Sequence, residues 1–166
     1  MTVTQTRTEI AAIDPEVVAD LLRLDDAGRP PRIVTHDDGG SPLRCCLRLS
    51  RPGEQVALVS YAPLRRWAKQ QGVDPGAYDE TGPIFLHTEP CGGRIDDGYP
   101  VELRGSERMM RAYSKEGRIL RGEIVAPNGD FEGAIADLLA DPDVAVVHGR
   151  AIDFGCFTFE AHRAVA

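Results

Sequence analysis

Four stretches of this chain carry the apolar runs of β-strands, and each is interrupted by Cys, His or Arg. They are Leu43-Arg44-Cys45-Cys46-Leu47-Arg48-Leu49, Phe85-Leu86-His87-Thr88-Glu89-Pro90-Cys91, Val147-His148-Gly149-Arg150 and Asp153-Phe154-Gly155-Cys156-Phe157. All four cysteines and two of the four histidines fall in them. Burying such groups without partners costs several kcal/mol each, so the fold must either satisfy them mutually or gather them around a wet pocket.

At 166 residues the chain has the length of one domain with one core. We expect a flexible N-terminus over residues 1–11 and a single globular domain over 12–166. No apolar run approaches the ~18 residues that cross a bilayer, which argues against a membrane partner. The opening Met1-Thr2-Val3-Thr4-Gln5-Thr6-Arg7 lacks the basic and apolar segments of a secretory signal, so a cytoplasmic location with reduced thiols is expected. A net charge of -7 without a Lys/Arg run opposes nucleic acid and anionic lipid.

Asp14-Pro15-Glu16 offers an N-cap, a first-turn Pro and an acidic first turn, and predicts a helix running to about Asp26. A second short helix is expected over Pro63 to Gln71. Asp130 caps a third, in which Phe131, Ile135, Leu138 and Leu139 recur at helical spacing. Leu43 to Ser50 and Glu54 to Tyr61 flank Arg51-Pro52-Gly53, a hairpin pattern. Further strands are expected at Arg32 to Thr35, Pro83 to Thr88, Gly117 to Ala126, Val144 to Arg150 and Cys156 to His162, with a weaker one at Pro100 to Leu103. Glu107 to Tyr113 reads as either helix or strand. Six to seven strands and two to four short helices imply an α+β fold with a largely antiparallel or mixed sheet.

Alternation along a Leu43–Ser50 strand would put Leu43, Cys45, Leu47 and Leu49 in the core and Arg44, Cys46, Arg48 and Ser50 on the other face. Arg44 and Arg48, roughly 7 Å apart, would then form a fork-shaped receptor for a carboxylate or phosphate. His87 and Glu89 share a face and suit a carboxylate-oriented general base. Cys91, followed by Gly92-Gly93, could sit among exposed N–H groups that lower its pKa. His148 and Arg150 share a face, Asp153 could orient either, and Cys156 lies on the polar side of the last strand.

The ligand-binding candidates are therefore Arg44, Arg48, His148, Arg150, Asp153 and Cys156, and the catalytic candidates are Cys46, His87, Glu89 and Cys91. Four Cys and four His suffice for zinc, but no Cys-x-x-Cys or His-x-x-x-His pair occurs, and adjacent Cys45 and Cys46 on a strand point apart. No metal ligand and no cofactor is assigned on this reading. Dinucleotide, Walker, nucleophile-elbow and His-Glu-x-x-His signatures are all missing.

At these residues the chain resembles a bacterial family of small proteins known as domain of unknown function 1203. The resemblance rests on Pro42 to Arg48, Gly82 to Cys91, Tyr99-Pro100 to Arg104, and His148 with Arg150 leading to Asp153 through Glu160, and it spans about Ser41 to His162. It implies that these polar stretches are the family's hallmark and no particular activity. The expected function is binding of an anionic small molecule in an Arg/His/Cys pocket, with an enzyme using a Cys/His pair as its catalytic form and a homo-oligomer compatible with it. The alternative is a noncatalytic module whose Cys, His and Arg groups form a structural network or a zinc site.

Overall fold

The computed structural model describes residues 6–165. Among them eight strands form two antiparallel sheets with three α-helices, an α+β architecture. In chain order these are β1 (Thr8–Ala11), α1 (Pro15–Leu21), β2 (Arg32–His36), β3 (Glu54–Tyr61), α2 (Pro63–Gln71), β4 (Gly82–His87), β5 (Arg108–Ser114), β6 (Ile119–Val125), α3 (Phe131–Ala140), β7 (Val144–Ala151) and β8 (Phe157–Arg163). The larger sheet has the order β1-β8-β7-β5-β6 and the smaller β2-β3-β4. The chain returns from α3 into β7 antiparallel to β5, so the long connection at Asp130 creates no parallel strand pair. No helix among the described residues is long and apolar enough to cross a membrane.

The larger sheet is covered on both faces. On one, Met110, Ala112, Val147, Phe159 and Ala161 pack against Phe131, Ile135, Leu138 and Leu139 of α3. On the other, Tyr113 and Val146 meet Leu64, Trp67 and Ala68 of α2. Phe157 joins a second core made by α1 and the smaller sheet, with Val18, Leu21, Leu43, Val56, Ile84 and Leu86. Gly149 on β7 lets the Phe159 ring lie against its backbone, and a Cβ there would sit well inside contact distance of that ring. Gly149→Ala should therefore destabilise by about 1–3 kcal/mol through overpacking, measured by denaturant unfolding; an unchanged midpoint would contradict this packing.

Several local expectations are corrected. Thr8–Ala11, assigned above to a flexible end, pairs with β8 from Thr8↔Arg163 to Ala11↔Glu160. The first helix stops at Leu21 rather than Asp26, because Asp25 and Asp26 leave it to accept backbone N–H groups. Asp25 takes those of Ala27, Arg29 and Ser60, and Asp26 takes that of Ala62 and pairs with Arg66. Pro100 to Leu103 contains a 3-10 turn, not a strand. Glu107 to Tyr113 resolves as strand β5.

The largest correction concerns Leu43 to Leu49. β3 pairs with β2 and β4, not with this segment. Leu47 adopts a positive φ of 62°, and the Leu43 carbonyl accepts the Leu47 N–H at 2.7 Å while the Leu43 N–H donates to the Arg48 carbonyl at 2.8 Å. The result is a tight turn tethered by single bridges, Pro42 to Leu49 and Leu43 to Phe85. Side-chain alternation fails there, so Arg44, Cys46 and Arg48 do not share a strand face.

Candidate metal centre

His87 ends β4, where its backbone pairs with Val56 while Ile84 and Leu86 of the same strand point into the core. The Arg44 N–H donates to the Phe85 carbonyl at 3.0 Å, which holds the Leu43–Leu47 turn against this strand. The turn brings two consecutive thiols to one imidazole. Cys45 Sγ lies 3.1 Å and Cys46 Sγ 3.8 Å from His87 Nδ1, and the His87 N–H donates to Cys45 Sγ at 3.3 Å. Cys91, in the loop after β4, completes the group. One ligand atom from each of Cys45, Cys46, His87 and Cys91 lies within 4.8 Å of all the others.

Electrostatics divides the thiols. Cys46 is held down to about 6, chiefly by a hydrogen bond from Cys45, helped by the Arg48 N–H and the Arg48 charge against the opposing effect of burial. Cys45 is pushed up, because it donates that bond and because it is buried. Arg48 donates to both Glu54 oxygens at 3.0 and 2.8 Å, holding the carboxyl down to about 2. Its Nη2 also lies 2.7 Å from His87 Nε2. A guanidinium can only donate, so Nε2 is the acceptor and the neutral ring carries its proton on Nδ1, facing the sulfurs.

Cys46, His87 and Cys91 open into a cleft of about 740 Å³, whose lining includes Leu47, Arg48, Arg94, Ile95, Tyr99, Val101 and Glu102. Both arginines of the cleft are already engaged. Arg48 holds Glu54, and Arg94 donates to the carbonyls of Ile10 and Gly98, each at 2.8 Å.

Of the catalytic candidates, Cys46, His87 and Cys91 come together, whereas Glu89 is exposed and outside the cluster. The carboxylate near the imidazole is instead Glu54, 4.0 Å from His87 Nε2. Of the ligand-binding candidates only Arg48 lines the cleft. Arg44 is buried and donates to the carbonyls of Phe157 at 2.8 Å and Pro42 at 2.5 Å. His148 is fully buried beside the rings of Tyr113 and Phe157. Arg150 donates to the Gly155 carbonyl and pairs with Glu80. Asp153 is exposed, and Cys156 Sγ contacts the Phe154 carbonyl at 3.7 Å.

Sequence reasoning missed Cys45, which strand parity consigned to the core, and Glu54, which it placed in a hairpin. The available signal was the Cys45-Cys46 pair itself: adjacent side chains reach one centre only where the backbone turns between or around them.

Together these features define a two-sheet α+β fold that gathers three thiols and one imidazole beside a cleft lined by two of the thiols and the imidazole. The family model described as "Protein of unknown function (DUF1203)" matches residues 40–163, and the chain belongs to that family. All four cluster residues, with Arg48 and Glu54, lie inside the matched span. No curated protein and no solved structure matches the chain.

Proposed function

We propose that this protein binds one thiophilic divalent ion, zinc foremost, through Cys45, Cys46, His87 and Cys91. The observation that carries this reading is the convergence of those four donors from three chain segments to within 4.8 Å of one another. A tetrahedral zinc with bonds of about 2.3 Å to sulfur and 2.0 Å to nitrogen needs donors somewhat under 4 Å apart, so a contraction of about 1 Å at most closes the site. Three sulfurs and a nitrogen favour zinc over calcium or magnesium, which take oxygen donors. Binding through Nδ1 requires the imidazole proton to move to Nε2, so the Arg48 guanidinium, now 2.7 Å from Nε2, must turn away and let Glu54, 4.0 Å from it, come into reach as the acceptor.

The test is titration of reduced, chelator-treated protein with Co²⁺ and then Zn²⁺. One equivalent of cobalt should give the visible spectrum of a tetrahedral thiolate site, displaced by zinc, and the bound ion should protect Cys46 from iodoacetamide. Failure to retain an equivalent of either ion at micromolar concentration, or full retention by the Cys45→Ala and His87→Ala proteins, defeats the reading.

A second reading makes Cys46 a nucleophile toward an anionic small molecule in the same cleft. It draws support from Cys46 facing the cleft beside Arg48, with His87 Nδ1 at 3.8 Å. It requires iodoacetamide to label Cys46 in the protein as purified, with no metal released on unfolding.

A further inference from the structure

We infer that Cys91 is the exchangeable ligand of this centre, so that an ion held by Cys45, Cys46 and His87 offers its fourth position to a small donor molecule entering the cleft. The inference rests on the metal-binding reading above and goes beyond it, from a closed site to a gated one. A zinc closed by four protein ligands is structural, whereas one held by two Cys and one His keeps a position for a reactant.

The four ligands are anchored very unequally. Cys45 is 1% exposed and packed in the second core. Its turn is closed by the Leu47-to-Leu43 and Leu43-to-Arg48 bonds and tied to β4 through Arg44. His87 is in a strand ladder and also donates its N–H to Cys45 Sγ. Cys91, by contrast, is exposed. No hydrogen bond joins residues 88–93 to the rest of the described chain. Gly92 and Gly93 follow it, both with φ of 84°, a region that glycine enters without strain. A segment with no hydrogen bond to the rest of the described chain swings at lower cost than the hydrogen-bonded turn and strand end that carry the other three donors.

The exchange is a ligand substitution with no redox change. The metal–sulfur bond to Cys91 breaks, its thiolate takes a proton from solvent, and a lone pair of the incoming donor forms the new bond. Three thiolates leave a zinc centre formally anionic and two leave it formally neutral, so departure of Cys91 favours an anionic donor. Leu47, Tyr99, Ile95 and Val101 supply apolar walls, with Ile95 and Val101 102% and 78% exposed at the rim. The ligand class is thus a small molecule with an apolar body and one anionic oxygen, nitrogen or sulfur donor.

Azide serves as the probe donor, on cobalt-loaded wild type, Cys91→Ala, Cys91→Ser and Cys45→Ala proteins. Because Cys91 is exposed, its variants should keep the wild-type circular dichroism. Both should still hold one equivalent of cobalt, with thiolate-to-cobalt absorption lower by about one third, one thiolate in three. Azide should shift their visible bands at lower concentration than in wild type, and Cys45→Ala should lose the ion. Loss of cobalt from the Cys91 variants as complete as from Cys45→Ala, or retained cobalt blind to azide, overturns the inference while the metal reading stands. A wild type that takes up no cobalt overturns both.

Discussion

Zinc at a thousandfold over its dissociation constant should raise the unfolding free energy of the reduced protein by about 4 kcal/mol. The gain arises because the four donors come from the 45–46 turn, the end of β4 and the loop after it, and assemble only in the folded chain. Binding energy is then folding energy. For a domain of this size each kcal/mol moves the midpoint by roughly 2–4 °C, so thermal melts with zinc and with chelator should differ by about 8–16 °C. The Cys45→Ala protein should melt at one temperature in both. Coincident wild-type melts would leave the cluster a set of thiols and an imidazole with no affinity for metal.

The second large effect belongs to His148, which does not line the cleft. Its ring is fully buried and neither nitrogen has a hydrogen-bond partner; Glu160 Oε2 lies 3.9 Å from Nε2. Burial lowers its pKa from 6.5 to about 3, with the charges of Arg150 and Arg111 adding to the effect. The unfolded chain takes up this proton as pH falls through 6.5 and the folded one resists until about 3. Stability from this group is therefore complete above pH 6.5 and is lost as pH falls across that window. Glu160 works in the opposite sense. Burial raises its carboxyl, so its contribution is full below the ordinary carboxylate value and is lost as pH rises through the folded one.

Comparing wild type with His148→Leu isolates the histidine. Near neutrality the substitution should be close to neutral or stabilising, because it removes two unpartnered buried nitrogens. Below pH 6.5 the variant should gain on wild type by up to ~1.4 kcal/mol per pH unit, read from urea unfolding at successive pH values. Parallel stability curves between pH 7 and 4 would show that the ring does not remain neutral in the folded state. His148 was a ligand-binding candidate because it shares a strand face with Arg150; the fold buries it beside the Tyr113 and Phe157 rings, outside the cleft lining.

Short-range chemistry was readable in the chain because its causes lie within a few residues. Asp130 caps α3 by accepting the Gly133 N–H, Asp14 caps α1 by accepting the Glu16 N–H, and the alternation of β4 reports that Ile84 and Leu86 enter the core, whereas β7 and β8, buried on both faces, show no such alternation. Residue type singled out Cys46, His87 and Cys91. What tertiary structure decided is the partner of each. β3 bonds to β2 and β4, and this leaves Leu43–Leu49 free to close a turn around Leu47 that no local pattern encodes. That turn sends Cys45 and Cys46 to one imidazole, gives Arg48 to Glu54 and buries Arg44 under β8. Periodicity and caps are properties of neighbours along the chain, whereas a cluster of four donors is a property of a turn, a strand end and a loop that meet only in the folded chain.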